Sequence, residues 1–167
     1  MGNILVGDNS RCLLLTPRSG SHAMASAWLS QREPDQYAAY LAASGPQHPA
    51  KFLGTQENDW SVPASATVAV IVRNPIERFR SMVAWHGLNV DEQLQRPLYG
   101  PLQLQGVSQF FKFETQYEEC AQWLGLALPI QPEAATPEDQ KPTLTPEQEQ
   151  SVRATYAADL ALWESLS

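Results

Sequence analysis

Two stretches of this chain carry residue types that can hold an anion. Thr16-Pro17-Arg18-Ser19-Gly20-Ser21-His22 joins an apolar run to a Ser- and Ala-rich stretch. A strand-to-helix turn of this kind presents successive backbone N–H groups and the positive end of a helix dipole to one point. Gly20 lets the backbone come close, Ser19 and Ser21 offer hydroxyl donors, and the Arg18 guanidinium suits phosphate or sulfate oxygens. The same residues also read as a plain turn with Ser21 as N-cap. The second stretch, Arg73-Asn74-Pro75-Ile76-Glu77-Arg78-Phe79-Arg80-Ser81, follows another apolar run. With Arg73 at a strand's carboxyl end and Ser81 in the helix after it, both can face one crevice. An anionic group there would gain a charge-assisted bond and a hydroxyl bond. Taken singly, Arg73 reads as a surface charge and Ser81 as a helix hydroxyl bonded to its own backbone.

Two other patterns dissolve on inspection. No Gly-Lys-Ser/Thr follows a strand, so the Walker A pattern is absent. Cys12 and Arg18 have the Cys-x5-Arg spacing of tyrosine phosphatases, but Leu13, Leu14, Leu15, Thr16 and Pro17 stand between them. A phosphate cradle needs flexible residues with free N–H groups, so Cys12 is expected in the core.

Elements must position these residues. Arg11–Thr16 reads as a buried strand closed by Pro17, and Ser21–Gln31 as a helix with Met24, Trp28 and Leu29 on one face. Asp35–Ala43 reads as a second helix and Lys51–Leu53 as a short strand. Thr67–Val72 is β-branched and apolar throughout, as in a strand buried on both faces of a parallel sheet. Pro75 opens a helix to about His86. Gln109–Phe113 is a further strand candidate, Glu118–Leu124 reads as helical, and Pro129 to Pro146 as an irregular surface segment. Thr145-Pro146-Glu147-Gln148 has the pattern of a capped start for a helix running to Leu166. Strands alternating with helices predict an α/β domain with a mainly parallel sheet, whose ligands sit at the carboxyl ends of the strands. Both stretches fall there.

Composition narrows the partners. The 167 residues suit one compact domain spanning 1–167, and 43% hydrophobic residues exclude a disordered chain. A net charge of −7 argues against nucleic acid as a partner but leaves room for a small anion held by a few placed arginines. Cys12 and Cys120 are too few for a disulfide framework or a thiolate metal site, and no metal is expected. The longest apolar run, Val68–Val72, is far short of a membrane span. The first residues, MGNILVGDNSR, lack a basic n-region and a myristoylation pattern. The expectation is a soluble, cytoplasmic protein without a membrane partner.

Together the two stretches resemble the sulfotransferase superfamily, whose donor is 3′-phosphoadenosine 5′-phosphosulfate (PAPS). Pro17-Arg18-Ser19-Gly20-Ser21 is similar to its first fingerprint, a strand ending in Pro-[Lys/Arg]-Ser-Gly-[Ser/Thr]. Arg73-Asn74-Pro75, then Arg78-Phe79 and Ser81, is similar to its second. Phe113-Glu114 with Trp123-Leu124-Gly125-Leu126, and Leu144-Thr145-Pro146-Glu147 with Tyr156, Asp159 and Leu160, continue the likeness in order. The resemblance implies a three-layer α/β/α, P-loop-like fold. It implies that Pro17, Arg18, Ser19, Gly20, Ser21, His22 and Ala23 hold the 5′-phosphosulfate, and that Arg73 and Ser81 hold the 3′-phosphate. Ser21-His22-Ala23 stands where many relatives have Thr-Thr-Trp, and no Arg-Lys-Gly loop precedes the last helix; Lys141 is the nearest cation.

The reaction implied is sulfuryl transfer to a hydroxyl or amine of a small molecule, glycan or peptide, leaving 3′-phosphoadenosine 5′-phosphate (PAP). Arg18 is the expected catalytic cation. The expected base follows the second strand: with Lys51–Leu53 as that strand, Glu57 is the candidate, Asp59 an outsider, His48 the second choice and His86 the third. His22 is a phosphate donor or a cap. Arg78 is expected to pair with Glu77 or Glu114, while Arg18, Arg73 and Arg80 make the crevice electropositive. Two alternatives stand beside this: an inert nucleotide-binding relative, since the segments that usually build the acceptor pocket are short, and a P-loop small-molecule kinase.

Overall fold

A computed structural model of the chain describes residues 4–8, 10–35, 37–38, 64–130 and 135–167. Strands β1 (Ile4–Gly7), β2 (Arg11–Leu15), β3 (Thr67–Val72) and β4 (Gln109–Lys112) form one sheet in that order. β2, β3 and β4 run parallel, as the apolar runs predict, and β1 pairs antiparallel with β2. No strand was expected at Ile4–Gly7. Its apolar stretch is too short to signal one, and it is held by pairing and by the Asp8 turn. Asp8 Oδ1 accepts from the Ser10 and Arg11 backbone N–H groups at 2.7 and 2.9 Å.

Alternate residues of β2 and β3 point to opposite faces, and both faces are covered. On one, Leu13, Leu15, Ala69 and Ile71 pack against α1 (Ser21–Arg32) and the helix Phe113–Trp123. On the other, Cys12, Leu14, Val68, Val70 and Val72 pack against residues 102–107 and against Leu162, Trp163 and Leu166. α2 (Pro75–His86) begins as its sequence dictates: Asn74 Oδ1 accepts from Ile76 N at 3.0 Å, Pro75 is the first helical residue, and Gly87 (φ 61°) ends the helix. α3 (Val90–Gln95) follows, unforeseen in the sequence, and then α4, the Phe113–Trp123 helix. The strand expected at Gln109–Phe113 is β4 and stops one residue early, because Phe113 already begins α4.

The predicted capping box is present, with Thr145 Oγ1 accepting from Gln148 N at 3.2 Å and the Gln148 side chain accepting from Thr145 N at 3.0 Å. The helix it opens does not run unbroken to Leu166. It divides at Tyr156 into α5 (Pro146–Thr155) and α6 (Ala157–Ser165). The two halves have different partners: Val152 and Tyr156 pack against α2, whereas Leu162 and Trp163 pack against the sheet. Buried Tyr156 fixes the break by donating its hydroxyl to the Tyr99 carbonyl at 2.6 Å. Of the predicted Asp35–Ala43 helix, Asp35, Tyr37 and Ala38 are helical and the rest lies outside the described residues, as does Lys51–Leu53.

Candidate functional site

The loop after β2 is tied to β3 at its root, where Thr16 Oγ1 donates to the Ile71 carbonyl at 3.1 Å. Gly20 (φ 72°), not Ser21, is the N-cap of α1, and no side chain caps the helix. Ser21, His22 and Ala23 therefore occupy its first turn, where backbone N–H groups have no intrahelical partner. Gly20 is required by a ring as well as by its φ. A Cβ there would lie 2.5 Å from the Tyr117 ring, and the Tyr117 hydroxyl donates to the Gly20 carbonyl at 2.7 Å. Ser19 is buried, and its hydroxyl has no hydrogen-bond partner among the described residues.

Arg18 holds the site together. Its backbone is left-handed (φ 63°), an uncommon state for a residue with a long side chain. This turns the guanidinium inward, where only 9% of the residue is exposed. Nε donates to Ser81 Oγ at 3.1 Å, Nη2 donates to Thr136 Oγ1 at 2.6 Å, and the group lies 4.5 Å over the Trp85 ring. Burial, reinforced by repulsion from Arg73, pulls its pKa down to about 10, so it stays charged at neutral pH. Arg73 Nη1 donates to the Arg18 carbonyl at 2.7 Å, and its guanidinium lies 4.9 Å over the Phe113 ring. Burial lowers the Arg73 pKa as well; Glu77, Glu114 and Glu138 act against this through space, and none of them forms an ion pair with it.

A cavity of about 380 Å³ opens at the carboxyl ends of β2, β3 and β4. Arg18, Gly20, Ser21, His22 and Ala23 line one side, Arg73 with Phe113 and Tyr117 another, and Thr136 a third. The two stretches thus meet, but not as the spacing suggested. Arg73 lines the cavity, whereas Ser81 is buried under Arg18, with Thr136 Oγ1 at 3.2 Å. Ser81 is drawn there because Arg18 Nε takes its oxygen. His22 lies in the first turn without capping it, 6.4 Å from the Trp85 ring. Pro17 turns away from the cavity, its carbonyl accepting from Arg78 Nε at 3.1 Å.

The other two arginines of the second stretch are structural. Arg78 is buried and pairs with Asp159 at 3.6 Å, not with Glu77 or Glu114. Glu114 instead accepts from Asn74 N at 2.9 Å and from Trp163 Nε1 at 2.8 Å. Arg80 does not face the crevice as a spare cation: Glu77 at 2.6 Å and Glu138 at 2.8 Å hold it. Lys141 is bound by the same two acids. Cys12 is 2% exposed inside β2 and burial pushes its thiol up, so it is a core residue.

Glu57, Asp59 and His48, the expected bases, lie outside the described residues. His86 is exposed at the end of α2 with Nε2 at 3.0 Å from the Tyr99 hydroxyl. Trp85, Thr136 and Tyr117 are site residues that sequence reasoning missed. Trp85 had a signal, standing four residues after Ser81 and so on the same helix face. Thr136, in the proline-rich segment, had none. Among the described residues no group of His, Cys, Asp and Glu could hold a metal, and no helix is long and apolar enough to cross a membrane. In comparisons with known proteins, no family model, no curated protein and no solved structure matches the chain.

Proposed function

We propose that the chain is a PAPS-dependent sulfotransferase of P-loop-like architecture, moving a sulfuryl group to a hydroxyl or amine of a small molecule, glycan or peptide. The observation that carries this is the position of Arg73. It is brought from a separate stretch onto the Arg18 carbonyl, and it lines the cavity at the first turn of α1 with no ion-pair partner among the described residues. A half-buried guanidinium supported by a carbonyl and a ring is a ready-made anion contact. Two guanidiniums and the first-turn N–H groups of α1 suit a ligand with more than one phosphate, and Phe113 and Tyr117 suit one with a planar apolar part. Sulfuryl transfer, like phosphoryl transfer, spreads charge over equatorial oxygens, and catalysis is mainly positioning and electrostatics. Arg18 and the first-turn N–H groups stabilise the leaving phosphate; Arg73 anchors the second phosphate.

Calorimetry with PAP and with ATP, followed by single-turnover transfer from labelled PAPS, tests this. Tight PAP binding with weak ATP binding and transfer of label supports it. Preference for ATP would turn the site into a kinase site, and PAP binding without any transfer would leave a nucleotide-binding protein.

A further inference from the structure

Arg18 lines the cavity, yet only 9% of the residue is exposed. Three described neighbours cover the guanidinium: Ser81 Oγ on Nε at 3.1 Å, Thr136 Oγ1 on Nη2 at 2.6 Å, and the Trp85 ring at 4.5 Å. Thr136 Oγ1 also lies 3.2 Å from Ser81 Oγ, which already accepts from Nε. With the Ser81 hydroxyl donating to it, Thr136 Oγ1 accepts two bonds, one of them from a guanidinium. An oxygen of a bound anion would be held in the same way. A ligand oxygen reaches Nη2 only when one of the three neighbours moves.

The three are not equally held. Ser81 and Trp85 stand on α2, whose Phe79, Met82 and Val83 are buried in the core. Thr136 stands on residues 135–142, a strap none of whose residues joins the apolar clusters. Polar contacts fasten this strap to α2. Arg80 pairs with Glu138 at 2.8 Å, Lys141 pairs with Glu77 at 3.3 Å, and Arg80 Nε donates to the Pro142 carbonyl at 2.9 Å. The Glu138 side chain is 66% exposed, and an ion pair that meets water holds weakly. Thr136 is therefore the neighbour that gives way.

We propose that residues 135–142 are an autoinhibitory strap: Thr136 occupies the place of an anionic oxygen on Arg18, the contacts with α2 latch it there, and a phosphate-bearing ligand opens the strap by displacing it. The proposal rests on the anion site of the reading above and not on sulfuryl transfer. An ionised phosphate oxygen is a stronger acceptor for a guanidinium than a neutral hydroxyl is, so the exchange is driven. Opening the strap opposes it. The affinity measured is the intrinsic one reduced by the fraction of chains whose strap is open, so loosening the latch tightens binding.

The test titrates PAP and, separately, inorganic pyrophosphate into the full chain and its variants by calorimetry at one salt concentration. Thr136→Val should bind the anions about tenfold tighter. Thr136→Ser, which keeps the hydroxyl, should match the parent. Glu138→Gln should bind about threefold tighter, whereas Asp139→Asn, which removes the same charge beside the latch, should not. Spin labels on Asp139→Cys and on Glu92→Cys of α3 should report a changed and broader distance when the anion is added; Cys12 and Cys120 are buried and stay unlabelled. Unchanged or weaker binding by Thr136→Val, equal gains from Glu138→Gln and Asp139→Asn, or a label distance that no anion alters would each overturn the strap. These signs with pyrophosphate but no PAP binding would remove the nucleotide reading and leave the strap standing. PAP binding without them would do the reverse. Binding of neither anion by any of the proteins would overturn both.

Discussion

At the scale of single residues, Arg73 and Gly20 carry the sharpest expectations. Arg73→Ala removes a guanidinium that lines the cavity and should weaken PAP binding by about 1.5–3 kcal/mol, the worth of a charged hydrogen bond. An analogue lacking the 3′-phosphate should lose much less; equal losses by calorimetry would show that Arg73 serves some other group. Gly20→Ala meets two obstacles, a φ of 72° and a Cβ 2.5 Å from the Tyr117 ring. It should cost about 1–3 kcal/mol in denaturant unfolding. Part of that cost should vanish in a Gly20→Ala/Tyr117→Ala double variant, because the ring clash goes while the backbone strain stays. Strict additivity would mean that the ring is not the obstacle. Ser81 is different in kind: it supports Arg18 from beneath, so its loss should act on the pose of Arg18 rather than on direct ligand contact.

At the scale of elements, the Asp8 turn is what makes a strand of Ile4–Gly7. Its carboxylate accepts bonds from Ser10 and Arg11, which hold its pKa below the usual carboxylate value. A lowered pKa means that the unfolded chain binds the proton first as pH falls. The turn's contribution is thus present above the ordinary carboxylate pKa and lost as pH drops through the folded one. Asp8→Ala should flatten that acid-side loss in thermal melts, and an unchanged acid slope would remove the turn from the account. Elsewhere the elements were legible in the chain. β2 and β3 are unbroken apolar runs, Asn74-Pro75 marks the start of α2, and Thr145 with Gln148 marks that of α5. β1 and α3 were not legible, because β1 is three apolar residues held by pairing and α3 is six residues with none fully buried, held by the Asn89 cap and by partly buried Val90 and Leu94. At the site, the approach of the two stretches was legible, but the contact between Arg18 and Ser81 was not. It depends on the left-handed backbone of Arg18, which no pattern of residue types announces.

At the scale of the whole molecule, charge is unevenly spent. The net charge is −7, yet Arg18 and Arg73 share one cavity, while Arg78 and Arg80 are held by acids. PAP affinity should fall as salt rises, because ions screen this short-range attraction within a Debye length of about 8 Å at physiological salt. The slope should reflect two guanidiniums rather than four, and an affinity flat or rising with salt would show that they do not converge on the ligand. The double-sided sheet has a consequence for how the protein is made. α1 covers one face of β2 as soon as it leaves the ribosome, but the other face waits for residues 102–107 and for Leu162, Trp163 and Leu166. At roughly 5–20 residues per second, Cys12, Leu14, Val68, Val70 and Val72 stay uncovered on the nascent chain for on the order of ten seconds. During that interval the chain is a natural client for chaperones, until α6 docks.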